Sequence, residues 1–206
     1  RSFATEAHEL PSARGQGEPL SGRFAMVAGE SFEHVLLDDD KQALLLASDA
    51  GYGFVAEYSD LLSRNKAGKA VLSLPVGAKV LPPVVVKQPD TDLVLCISNE
   101  GRMLVFPVAD LPKLSKGKGN KLMSIPSARA ASREEYVCQL AIVPADGSVT
   151  LVAGKRKLGL KADDLAHYHG ERGRRGNKLP RGLQRIDEVQ VSLGNDTSSD
   201  QTSSVE

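Results

Sequence analysis

Three stretches carry one pattern: SDAGYGFVAEYSDLL (48–62), SNEGRMLVFPVADLP (98–112) and VAGKRKLGLKADDLA (152–166). In each, a glycine (Gly51, Gly101, Gly154) follows an apolar run, LLLAS, LVLCIS or VTLVA. Alternating apolar residues come next, and then an Asp-Leu doublet (60–61, 110–111, 164–165). Apolar strands on both sides of a turn glycine read as a hairpin, the glycine supplying the positive φ of the tight turn. The turn glycines recur at intervals of 50 and 53.

Beyond each doublet lies a second, glycine-rich element: NKAGKAVLSLP (65–75), KGKGNKLMSIP (116–126) and RRGNKLPRGL (174–183), with an earlier copy ARGQGEPLSG (13–22). With Gly17, Gly68, Gly119 and Gly176 aligned, the spacings are 51, 51 and 57. A period near 50 with several short strands per unit is the signature of a propeller-like array. The expected fold is therefore all-β, built of blades. In the same register Arg1 falls on Arg102, so the chain starts just after a turn position. The first blade is expected to be truncated, and the chain to be a fragment of a longer polypeptide whose catalytic centre lies elsewhere.

Segments 22–39, 81–88 and 135–144 read as further strands, and only 127–135 has the composition of a short helical turn. The repeats define a domain over 1–187, followed by an acidic tail over 188–206. Its stretch SLGNDTSSDQTSSVE (192–206) is too poor in apolar residues to offset its ordering entropy, and disorder is expected there.

The 206 residues balance 26 Lys+Arg against 26 Asp+Glu, but the charges are segregated. Residues 1–60 carry −7, residues 186–206 carry −5, and 61–185 carry +12. Such asymmetry points to a polyanion partner, with solvated loops as the competing reading. Aromatics are 4% with no Trp, so the core must come from Val, Leu, Ile and Ala. No apolar run approaches the roughly 18 residues of a membrane span.

Catalytic chemistry finds little support. His167-Tyr168-His169 would set two imidazoles on one face of a strand, yet no Cys or third His lies nearby, and no metal site is assigned. Asp38-Asp39-Asp40 lacks the spacing of a calcium loop. No GxxxxGK[ST] phosphate loop occurs. Cys96 and Cys138 sit in apolar strand contexts and read as inert thiols. The glycine boxes suit another task. Glycine lets backbone pass close to another chain, successive N–H groups form anion-binding concavities, and interleaved Lys and Arg add charge. KLSKGKGNK (113–121) and ERGRRGNK (171–178) repeat that combination at one register. They read as phosphate contacts with little sequence readout, or else as blade-connecting turns.

The series ELPSARGQGEPLSG, ASDAGYGFV, RNKAGKA, GRMLVFPVADLPKLSKGKGNKL, GKRKL and GERGRRGNKLPRGLQRID closely resembles the C-terminal domain of the A subunit of bacterial DNA topoisomerase IV, over about residues 1–187. The equivalent domain of the gyrase A subunit is the alternative. Its signature box has no intact copy here, the nearest elements being 13–17 and 116–120. The resemblance implies a β-pinwheel, whose four-stranded antiparallel blades exchange strands and whose rim binds DNA. It also implies that the cleaving tyrosine, the magnesium site and the ATPase lie elsewhere in the holoenzyme. No cofactor is expected in this stretch, and none of Tyr52, Tyr58, Tyr136 and Tyr168 is assigned catalysis. Implied partners are duplex DNA, the B subunit of topoisomerase IV, a second copy of the A subunit through the missing N-terminal part, and a bacterial SMC-type condensin. The implied location is cytoplasmic and nucleoid-associated, with peripheral inner-membrane contact allowed. The expected phosphate contacts are Lys116, Lys118, Lys121, Arg172, Arg174, Arg175 and Lys178, with Lys66, Lys69, Lys155, Arg156, Lys157 and Arg181 secondary.

Overall fold

A computed structural model of the chain describes residues 1–11 and 14–193. The strands in order are β1 (Ala43–Ser48), β2 (Tyr52–Glu57), β3 (Val84–Val86), β4 (Leu93–Ser98), β5 (Arg102–Pro107), β6 (Asn120–Lys121), β7 (Val137–Val143), β8 (Ser148–Ala153), β9 (Arg156–Leu160), β10 (Asn177–Lys178) and β11 (Glu188–Ser192). Short helices are α1 (Tyr58–Leu61), α2 (Ser127–Ala131) and α3 (Ala162–Leu165).

The three repeated stretches form the hairpins β1–β2, β4–β5 and β8–β9, with Gly51, Gly101 and Gly154 at positive φ in their turns. Each hairpin runs into a helical turn, α1, a 3-10 turn at 108–110, or α3. The recurrent aspartate serves that turn. Asp60 Oδ2 accepts the Glu57 N–H at 3.2 Å, and Asp164 Oδ2 accepts the Lys161 N–H at 2.9 Å, which satisfies amides that a helix start leaves without partners.

Three antiparallel sheets result, ordered β3-β1-β2-β6, β10-β5-β4-β7 and β11-β8-β9. In each, the strand that follows the hairpin covers its first strand. The second strand of the first two hairpins is covered by a two-residue strand from the following repeat: β6 on β2, β10 on β5. This exchange makes the array a pinwheel. Period-two alternation then packs the blades together. Val94 and Cys96 face the first sheet, whereas Leu95 and Ile97 face the third, so β4 is buried on both sides and its sequence is continuously apolar. Each fully buried Leu, Ile or Phe contributes about 1.5–3 kcal/mol.

Several expectations need correction. Residues 22–39 hold no strand, and Val35 and Leu37 are 83% and 88% exposed. By repeat register this segment corresponds to β3, which lies beside a hairpin's first strand. Among the described residues no strand lies beside it, and a lone extended segment has no ladder to join. The N-terminal region is held instead by Phe3, Phe24 and Phe32, with ring centroids 5.1–5.9 Å apart, and by a bridge from Ser2 to Lys69. The tail boundary at 188 falls too early, because Glu188–Ser192 pairs with β8 as β11. The rest of the expected tail, 194–206, lies outside the described residues. His167-Tyr168-His169 is a 3-10 turn and its exit rather than a strand. The third sheet has three strands among the described residues rather than four.

Candidate nucleic-acid interface

The glycine boxes begin as local backbone chemistry. Gly17, Gly68, Gly119 and Gly176 all take left-handed φ, between +72° and +76°. A Cβ on Gly119 would collide with the Gly53 carbonyl, and one on Gly176 with the Met103 carbonyl. Only glycine lets these segments cross the previous repeat's hairpin so closely. The Asn-Lys pair after each of these two glycines then joins the ladder, Lys121 opposite Tyr52 and Lys178 opposite Arg102.

The boxes also bond to one another. The Gly117 N–H donates to Val71 O at 2.8 Å, and the Ser73 N–H to Gly117 O at 2.9 Å. One repeat later the Gly173 N–H donates to Leu122 O at 2.8 Å, and the Ser124 N–H to Arg174 O at 3.0 Å. One repeat earlier the Ala25 N–H, three residues past the first box, donates to Lys66 O at 2.9 Å. The boxes at 65–75, 116–126 and 171–183 therefore form a continuous backbone track that crosses from blade to blade.

The track carries most of the expected cations. Lys66, Lys116, Lys118, Lys121 and Lys178 are exposed on it. The Lys118 ammonium lies 4.1 Å from the centroid of the Tyr52 ring, and that of Lys121 lies 6.0 Å away, so one ring attracts two lysines. Arg174 pairs with Glu171 at 2.7 Å, but both side chains are about three-quarters exposed, and such a pair yields readily to a stronger anion. Arg172 is half-buried, its Nη1 donating to Lys121 O at 2.8 Å. Lys69 is half-buried, with its ammonium on the Asp60 carbonyl. Arg175 is tied to the buried Glu135 at 2.7 Å and faces the protein. Lys155, Arg156 and Lys157 are exposed on the third hairpin, and Arg156 lies against Gly182 within the last box, where Arg181 is also exposed.

The sequence reading missed Tyr52 and Arg102. Both follow a hairpin glycine closely and face a box lysine, and Arg102 Nη1 donates to Gly176 O at 3.1 Å. Their shared register in the repeat was the available signal. Exposed Arg185 was also passed over.

Little here resembles a reaction centre. Cys96 is buried and its thiol is pushed well up by desolvation, while burial raises Cys138 to about 11. Among the described residues no three His, Cys, Asp or Glu side chains gather as a metal site. None of their helices is long and apolar enough to cross a membrane.

Blades with exchanged strands, carrying a basic track, define a propeller-like class. The family model described as the DNA gyrase C-terminal domain, beta-propeller, matches residues 42–87 and 92–128. The chain is 58% identical over 94% of its length to the A subunit of DNA topoisomerase 4 from Pseudomonas aeruginosa, and 53% identical over 93% to that of Escherichia coli K12. The solved E. coli ParC C-terminal domain superposes with a TM-score of 0.83 at 54% identity, covering 89% of this chain and 74% of that one. The chain belongs to the family of C-terminal domains of the DNA topoisomerase IV A subunit. It spans about a quarter of the length of the two curated relatives, 26% and 25%.

Proposed function

We propose that this chain is a duplex-binding module that captures and bends DNA through phosphate contacts and guides strand passage by a topoisomerase IV holoenzyme. The observation that carries the reading is the continuous track of hydrogen-bonded glycine boxes with Lys116, Lys118, Lys121 and Lys178 exposed along it. Backbone passing close to a ligand, with point charges at regular intervals, suits a regular polyanion and offers no base-specific donor pattern. Chemistry belongs elsewhere in this reading. Cleavage, magnesium and ATP turnover reside in other parts of the holoenzyme, its B subunit included, in a cytoplasmic, nucleoid-associated enzyme acting in decatenation, supercoil relaxation and chromosome segregation. A degenerate box suits this role better than strong wrapping by the equivalent gyrase domain.

The test is charge reversal at Lys116 and Lys118, and separately at Arg174 and Lys178, measured by fluorescence anisotropy on a duplex. Arg175 is left intact because a carboxylate there would face Glu135. Each double variant is expected to weaken binding at least tenfold at about 0.1 M salt with the fold unchanged, since each phosphate contact releases a counterion. Unaltered DNA retention by both would refute the reading.

A second reading, a platform for an SMC-type condensin, is favoured by β9. Its outer edge has no covering strand among the described residues, and Arg156 and Lys157 are exposed along it. An acidic strand would suit that edge. Association with purified condensin that persists after nuclease treatment supports this reading, and loss on nuclease treatment removes it.

A further inference from the structure

The segment between α2 and β7 joins three repeats through charge. Arg133 reaches back to the first repeat, where it pairs with the buried Asp49, and its guanidinium lies 4.4 Å from the Tyr136 ring. Its φ is +63°, the one positive value outside glycine among the described residues. An L residue holds such a conformation where its surroundings over-determine it. Arg129, on α2, pairs with Glu100 at the tip of the second hairpin at 2.9 Å and with Glu134 at 3.4 Å. It also pairs with Glu135 at 2.8 Å.

Glu135 is the centre of this cluster. Its side chain is 1% exposed, one oxygen takes Arg129, and the other takes Arg175 at 2.7 Å. Arg175 belongs to the third repeat and stands immediately before Gly176, the residue that lodges the third box on β5. On its other side, Gly173 and Arg174 make the two backbone bonds that dock the third box on the second. A carboxylate this buried must keep its partners, and two guanidinium groups satisfy both of its oxygens.

We propose that Glu135 is a positioning residue of the track. By holding Arg175 it fixes the third box against the second and sets the direction in which a duplex passes from Lys121 to Lys178. The consequence for DNA rests on the binding reading above, whereas the cause lies within the protein. Arg175 then supplies orientation rather than counterion release, because a phosphate that captured it would strand an oxygen of Glu135.

The test uses Glu135→Gln, which keeps the shape and removes the charge, and Arg175→Lys, which keeps the charge and removes the fork. The first readout is amide hydrogen exchange. In both variants Gly173 and Ser124 are expected to exchange about tenfold faster, while Leu95 and Val105 in the central blade keep their rates. The second is end-to-end energy transfer on a labelled duplex of about 40 base pairs, where reduced bending is expected at equal occupancy. The salt slope of binding is expected to stay within about one ion of wild type. Wild-type exchange at Gly173 and Ser124 in both variants would overturn the proposal. Faster exchange there with unchanged bending would overturn the part that concerns DNA direction. Should Glu135→Gln loosen the whole fold, Arg175→Lys decides. Should wild type fail to bind DNA, the binding reading falls, and the exchange rates still decide whether Glu135 holds the box.

Discussion

Lys118 and Arg175 show why two basic residues from matching boxes take different roles. Lys118 extends into solvent with its ammonium over the Tyr52 ring, poised rather than paired. Arg175 turns inward to Glu135. Lys118→Ala should therefore flatten the dependence of log K on log salt by about 0.9. Tyr52→Leu should leave that slope unchanged and weaken binding about two- to fivefold, the worth of an exposed cation–π contact. Anisotropy titrations at several salt concentrations separate the two. The cysteines give a pH test. Because burial raises Cys138 to about 11, its thiol stays protonated well above neutrality. The rate of its alkylation should climb about tenfold per pH unit from 8 to 10 with no plateau, since only the thiolate reacts. A plateau near pH 9, read by mass spectrometry on the folded protein, would contradict its burial.

Among the elements, the glycine boxes connect sequence to architecture most directly. Gly119→Ala places a methyl group against the Gly53 carbonyl and forces an L residue into φ +76°. The expected loss is about 3 kcal/mol in urea unfolding, combining backbone strain with the displaced strand. Gly17 has a similar φ, +73°, but nothing among the described residues within 4 Å of an added Cβ. Gly17→Ala should therefore cost only the left-handed penalty, about 1–2 kcal/mol. The hairpins and boxes were legible in the sequence because turn glycines and alternating apolar residues act locally. The destination of β6 and β10 was not, because a strand of two residues has no periodicity and its partner lies in another repeat. The same reason hid the failure of 22–39 to form a strand. Its apolar pattern is sound, but a strand exists only where another can pair with it. Short helical turns after each hairpin escaped notice because their signal is one capping aspartate, not a helical period.

At the scale of the molecule, neutral net charge conceals a basic track with acidic segments before and after it. Charge segregation was visible along the chain, and so was the register that gathers the boxes. Which cations remain available was not. Lys69, Arg172 and Arg175 have the right composition and spacing, yet the Asp60 carbonyl, the Lys121 carbonyl and Glu135 engage them. Glu135 gave no sequence signal, since a buried acid and a solvated one look alike in SREEY (132–136). Breaking this junction with Glu135→Ala should cost about 3–5 kcal/mol, the penalty for a buried pair that loses one partner, as read by urea unfolding. The track itself is best tested by the salt dependence of duplex binding. With Lys66, Lys116, Lys118, Lys121, Arg174 and Lys178 as contacts, log K should fall against log salt with a slope of about −5, and be nearly independent of duplex sequence. A slope shallower than about −2, or one unchanged when Lys116, Lys118 and Lys121 are all replaced by alanine, would contradict a DNA track built on the glycine boxes.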